Sequence, residues 1–547
     1  MARRVQGPVR TTVEMARVLG LGPVAPASVD DLHKSTAYTL KPLQAEALGA
    51  LRALPGALAP FGSIPVGGGK SLIALLAATA KGCKRPLILT ERALVRQMKR
   101  DLAMWSDHFH IIEPEIMSYG RVSRQASAHL MDELQPDIIV CDEAHGLKAH
   151  PVMSARTSRV MGYVLDNPET VFFPMSGSFA DTSILDYYHL AEMALRELCP
   201  LPRDFDELDI WSAVIDPERE YTDSDRMSLS ALMMWARTRN PCTAYRKRFR
   251  SAPGIVTSDA SAFEGPHTIR ALRIDMGPVI GGALETVSKD WALPCGGLLA
   301  DASETARHSR TLSLGFYNRH TLIGSDPDIL EWTEARKAWT GALGNAVKYG
   351  SQKGRDTFGL WTRAVEQGAA SASMIRALAR WKAIRHAVRP RSEVVWVDDR
   401  PLRAYLRSLP PDMLVWYSSK GVEALLVEEG FAVHGGGSLA PEAFVGRCAV
   451  SVNVHRKGWD GGQHLWSRQT FLEVSPSAKR WEQALGRLHR PGQESHVHTW
   501  INQSTAPLRR ALDRAEYRSA WVANSHGEAR KLATTTWGRA QFFDPVY

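Results

Sequence analysis

Pro65-Val66-Gly67-Gly68-Gly69-Lys70-Ser71 is the stretch on which the reading of the fold turns. Gly67, Gly68 and Gly69 let the backbone bend so that its N–H groups face inward, forming a nest for phosphate oxygens. The residues after it, Leu72 to Ala80, predict a helix whose N-terminus adds positive potential at the same point. In such a loop Lys70 reaches the β- and γ-phosphates of a nucleotide such as ATP, and the Ser71 hydroxyl serves Mg2+. The general form of this loop carries glycine where Ile64 stands.

Outward from the loop, short apolar runs alternate with helical patterns between about residues 38 and 199. The runs 86–90, 137–141 and 171–175 predict buried strands of a parallel sheet. The second of them leads into Asp142-Glu143-Ala144-His145. Ligands of doubly wound sheets bind at the carboxyl ends of strands, so two carboxylates there are candidates for chemistry. Asp142 is suited to hold Mg2+, and Glu143 to orient and deprotonate an attacking water. A second α/β pattern begins near residue 393, with runs at 394–397, 413–417, 449–454 and 470–474. Between the two patterns lies a stretch rich in Trp, Ala, Arg and Leu that reads as mainly helical.

Near the end of the second pattern stands Trp481-Glu482-Gln483-Ala484-Leu485-Gly486-Arg487-Leu488-His489-Arg490-Pro491-Gly492-Gln493. Gln483, Gly486, Arg487 and Arg490 recur at helical spacing, which predicts one face presenting all four. A guanidinium is permanently charged and planar, so Arg487 and Arg490 suit stabilisation of a transferred phosphoryl group.

Together these motifs resemble superfamily-2 helicases, DEAH-box and Swi/Snf-like DNA-dependent ATPases of phage or prophage type, over about residues 38–503. The resemblance implies an α/β fold of two RecA-like parallel-sheet lobes with a mainly helical insertion between them. Its divisions are an N-terminal extension (1–35), a first ATP-binding lobe (36–200), the insertion (201–391), a second lobe (392–510) and a helical tail (511–547). It implies that Gln44 in Lys41-Pro42-Leu43-Gln44 recognises adenine, and that Gly458 and Asp460 in His455-Arg456-Lys457-Gly458-Trp459-Asp460 contact nucleotide or the opposite lobe. Arg487 and Arg490 become catalytic arginine fingers from the second lobe, and Gln483 a further catalytic residue beside them. Arg92, Arg121, Ser418 and Arg456 become candidate nucleic-acid contacts, the hydroxyl and free backbone N–H groups around Ser418 suiting phosphate. Met175-Ser176-Gly177-Ser178-Phe179 is similar to the family's Ser-Gly-Thr-Pro motif, with Ser178 and Phe179 replacing Thr and Pro.

The implied activity is that of an ATP- and Mg2+-dependent helicase or translocase on DNA, duplex or branched, in phage replication, recombination or branch migration, with proteins of those processes as partners. An RNA helicase, a restriction-system motor and a non-motor nucleic-acid-binding protein with a degenerate ATP site are the alternatives. Bulk properties agree with a nucleic-acid partner. The 547 residues carry a formal net charge of +9. The six cysteines show no Cys-x-x-Cys spacing, which argues against a zinc ribbon, and in a chain this long a disulfide framework is not expected. No apolar run reaches the roughly 18 residues of a spanning helix, so a soluble protein is expected, and the cysteine pattern points to a reducing, intracellular compartment, the cytoplasm.

Overall fold

Six strands build the first sheet of the computed structural model: β1 (Phe61–Ser63), β2 (Pro86–Thr90), β3 (Glu115–Ser118), β4 (Ile138–Asp142), β5 (Val171–Ser176) and β6 (Ile255–Thr257). Every pair is parallel, in the order β3-β2-β4-β5-β1-β6. The structure describes residues 12–65, 67–127, 129–148, 154–177, 179–258, 265–299, 301–349, 371–435, 446–456 and 461–543. They fall into two compact units. The first gathers Met1–Gly265, Ser477–Gln493 and Ala515–Thr534, and the second Pro266–Pro476, Glu494–Arg514 and Thr535–Tyr547.

In the first unit, all residues of β2, β4 and β5 are buried, as expected of strands covered on both faces. The helix Lys70–Lys81 is bounded by two left-handed glycines, Gly69 (φ 80°) and Gly82 (φ 79°), and its Leu- and Ala-rich interior is buried almost all round. It packs against the helix Pro42–Ala53, whose proline opens the first turn. Register lines up the strand ends. Ser63 lies opposite Ser176, and Asp142 opposite Met175. The polar residues that end β1, β2, β4 and β5 (Ser63, Thr90, Asp142 and Ser176) therefore share one edge of the sheet.

The second unit holds an eight-stranded parallel sheet. Its strands are β7 (His267–Ile274), β10 (Met413–Tyr417), β11 (Ala432–His434), β12 (Cys448–Ser451), β13 (Arg468–Phe471), β14 (Val497–Asn502), β15 (Thr536–Trp537) and β16 (Gln541–Phe543). The order is β11-β12-β10-β13-β14-β7-β15, with β16 also on β7. A separate antiparallel ribbon pairs β8 (Phe316–Ile323) with β9 (Arg389–Trp396). It leads into the helices Asp326–Tyr349 and Ala372–Ile384, which meet through Trp332 and Trp381, their rings 5.4 Å apart.

The chain is thus α/β with parallel sheets, and several finer expectations are corrected. The segment 201–391 is mainly helical among its described residues, but it is not one separate insertion. Its first part supplies β6 to the first sheet, and the rest supplies β7 and the ribbon to the second unit. His267–Ile274 escapes a reading based on apolar runs because Thr268, Arg270 and Arg273 interrupt its buried positions. The run 394–397 belongs to the ribbon rather than to the parallel sheet. The run 449–454 leaves the strand at Ser451 and continues as the short helix Val452–His455. The tail is helical over Ala506–His526 and then returns as β15 and β16. Among the described residues no helix is long and apolar enough to cross a membrane.

Candidate nucleotide-binding site

The loop after β1 is shaped by contacts that only glycine permits. Gly67 and Gly69 have φ of 86° and 80°, in the left-handed region that side chains disfavour. A Cβ on Gly69 would stand 2.1 Å from the Gln44 amide nitrogen, and one on Gly68 would stand 2.8 Å from the Ile64 side chain. Gln44 is buried against this loop. Its amide donates to the Gly69 carbonyl (3.2 Å) and accepts from the Lys41 N–H (2.8 Å). One donor and one acceptor of this side chain, which the resemblance assigns to adenine, are thus used to hold the backbone.

Lys70 opens the helix and folds its ammonium back over the loop, to the carbonyls of Ile64 (3.1 Å) and Pro65 (3.4 Å) and to Glu143 Oε1 (3.4 Å). Glu143 leaves β4 in a left-handed conformation (φ 56°), a backbone strain of about 1–3 kcal/mol for a residue with a side chain. Its other oxygen, Oε2, lies 2.9 Å from His145 Nδ1 and accepts from the Ser176 hydroxyl at 3.2 Å. His145 Nδ1 is also 3.0 Å from Ser176 Oγ. Burial works against the Glu143 charge, but Lys70, then His145, then Lys479 outweigh it and hold its carboxyl well below the ordinary range.

Asp142 has the opposite balance. Burial first and the Glu143 charge second push its carboxyl up to about 6, against the pull of Lys70 and a 3.0 Å hydrogen bond from Thr90. Tyr119 donates to the Asp142 carbonyl at 2.8 Å and fixes the strand end. Asp142 Oδ1 is buried and meets no hydrogen-bond partner among the described residues. An orphaned carboxylate oxygen is costly unless something else satisfies it, and a hard cation fits that need. Ser71 follows Lys70 in the first turn of the same helix.

The arginine-bearing segment lies in the same compact unit as the loop, not in the second. The helix Ala478–Leu485 is capped by Ser477, whose hydroxyl also lies 3.3 Å from Asp181. Lys479, Gln483 and Arg487 are 7–9% exposed, while Arg490 is partly exposed. One regular helix does not carry all four expected residues. It ends at Leu485, and Gly486 to Arg490 continue as turns, with Arg487 N bonded to Ala484 O and His489 N to Leu485 O. Pro491 disfavours helical geometry at Arg490 and so bounds these turns on their far side.

The remaining candidates are scattered. Arg92 is exposed in the turn Arg92–Leu94, and Arg121 is exposed with its guanidinium 3.6 Å from Glu115. Arg456 turns back to the Val452 and Asn453 carbonyls of its own short helix. The N–H groups of Ser418 and Ser419 are not free for phosphate, since Glu473 takes both, the second at 2.8 Å. These part-buried backbone donors are paired by an internal carboxylate. Gly458 and Asp460 lie outside the described residues, as does Ser178.

Residues that sequence reading left without a role here are Thr90, Tyr119 and Lys479. A hydroxyl at the end of a strand beside β4 is a usable signal for the first. The other two depend on contacts distant in sequence. Comparison of the chain with protein-family models and with curated proteins returned no match.

Proposed function

We propose that the protein is an ATPase that couples hydrolysis to movement on DNA, built on RecA-like units. The observation that carries this reading is the constellation at the edge of the first sheet. A glycine-rich loop, Lys70, an acidic pair of opposed protonation balance, and the segment bearing the buried Arg487 share one compact unit.

In this reading the loop N–H groups and the Lys70 ammonium bind the β- and γ-phosphates. Ser71 and Asp142 would hold Mg2+ together with phosphate oxygens and water, and the ion would neutralise charge on the transferred group. Glu143, ionised and accepting, orients the attacking water. A phosphate that draws Lys70 away removes the main charge that depresses Glu143, so its basicity rises when nucleotide is bound. Ser176 touches both Glu143 and His145, which gives the end of β5 a direct line to the water-orienting carboxylate. Arg487 and Arg490 are the cations for developing phosphoryl charge.

DNA as the track rests on the similarity of the Gln483 to Gln493 segment to Swi/Snf-like ATPases and on the basic composition. The test is ATP hydrolysis measured with no nucleic acid, single-stranded DNA, duplex DNA, forked DNA and RNA. Duplex or forked DNA should stimulate most. Stimulation by RNA alone would move the assignment to RNA remodelling, and stimulation by none would remove the motor reading.

A further inference from the structure

One short piece of the C-terminal region reaches both sides of the site just described. Glu528 takes the Ser63 hydroxyl at the end of β1, one residue before the carbonyl that holds Lys70, and is itself paired with Arg530. Ser63, Glu528 and Arg530 are all buried. Three residues on from Glu528, the Lys531 N–H donates to Glu482 Oε2 (2.8 Å), and the Lys531 ammonium lies 3.0 Å from His489 Nδ1. His489 stands between Arg487 and Arg490, and its Nε2 lies 2.7 Å from the Gly265 carbonyl. A Cβ on Gly486 would stand 2.9 Å from the Glu482 carbonyl and only in ordinary contact, 3.5 Å, with Lys531 Cε.

The chemistry of the imidazole fixes the sense of this chain of bonds. A carbonyl can only accept, so Nε2 carries the proton, and an ammonium can only donate, so Nδ1 is the bare acceptor. That is neutral imidazole in one tautomer. Burial first and the Lys531 charge second push His489 down to about 4, in keeping with this form. Lys531 thus locks the ring, and with it the turn Gly486 to Arg490.

We infer that Lys531, delivered by the buried Glu528–Arg530 anchor, is a positioning residue for ATP hydrolysis that holds the Arg487–Arg490 turn through His489. The inference rests on the proposed ATPase function. A strut that only stabilised the fold would alter melting and nucleotide binding together, whereas a positioning residue acts on turnover.

The test uses the full chain with duplex DNA. Lys531→Met should lower kcat for ATP hydrolysis at least tenfold, with the KM for ATP, the affinity for a fluorescent ADP and the melting temperature close to wild type. Lys531→Arg, which keeps a cationic donor, should recover a substantial part of kcat. His489→Gln should lower kcat similarly, and the double variant should be no worse than the more affected single variant, because both break one link. An unchanged kcat in Lys531→Met and His489→Gln, or losses that multiply in the double variant, would overturn the inference while leaving the ATPase reading intact. Loss of fluorescent-ADP binding in step with kcat would assign Lys531 a structural role instead. A wild-type chain without ATP hydrolysis would overturn the reading and the inference together.

Discussion

At the carboxyl edge of the first sheet, Lys70, Glu143, His145 and Ser176 form a knot of mutually bonded polar groups, with Asp142 Oδ1 left over. At the carboxyl edge of the second, the loop after β10 has its backbone donors closed off by Glu473, and Asn453 donates to the Ser418 carbonyl at 3.0 Å. Both sheets are wholly parallel and use the same strand-end positions. What separates them is where the compensating charge comes from. In the first, a cation placed on a glycine loop balances the carboxylate, and a phosphate can compete for that cation. In the second, fixed backbone dipoles do the balancing, and the Ser418 and Ser419 donors are not offered to a ligand. Architecture sets where a site can form, and the loop chemistry decides whether one does.

The largest expected contrast comes from removing the cation. Lys70→Ala should reduce ATP turnover about 10²–10³-fold, the range for losing one preorganised charge-stabilising group, and should weaken nucleotide binding. Phosphate release and fluorescent-ADP titration check both. An equal loss from Glu473→Gln would erase the distinction between the two edges.

Glu473→Gln should instead change the pH dependence of stability. Burial pushes the Glu473 carboxyl up, although the Ser418 and Ser419 amides oppose it. A raised folded pKa gives stability that is present below the unfolded value and lost as pH rises through the folded one. The variant, lacking that titration, should therefore gain in melting temperature relative to wild type as pH rises from 4 to 7. A constant difference across that range would contradict the assigned balance.

The smallest effects belong to the exposed arginines of the first unit. Arg92→Ala and Arg121→Ala should each weaken DNA binding without sequence preference and reduce the salt slope by about one. Unchanged slopes for both would move the DNA path to another face.

The features legible in the sequence were those whose meaning is local. The loop 65–71 and the tetrad 142–145 carry their chemistry in adjacent residues, and β2, β4 and β5 are apolar enough to declare themselves. Legibility failed where partners are distant. Glu473 and Ser418 lie 55 positions apart, so the sequence offered Ser418 as a free phosphate contact. The helical spacing from Gln483 to Arg490 was real only as far as Leu485. Strand β7 was hidden by its arginines, and β9 looked like a sheet strand because a ribbon strand can be equally apolar. Lys531 lies in a tail whose composition reads only as helix, and its contact with His489 spans 42 positions.

The most direct test of the central claim pairs duplex-DNA-stimulated phosphate release with the Glu143→Gln variant. Wild type should hydrolyse ATP faster with duplex DNA than without it. Glu143→Gln should bind fluorescent ADP normally and lose turnover by about 10²–10⁴-fold, the range for a positioned acid–base group. Wild-type hydrolysis indifferent to nucleic acid, or a Glu143→Gln variant that turns over normally, would contradict the account.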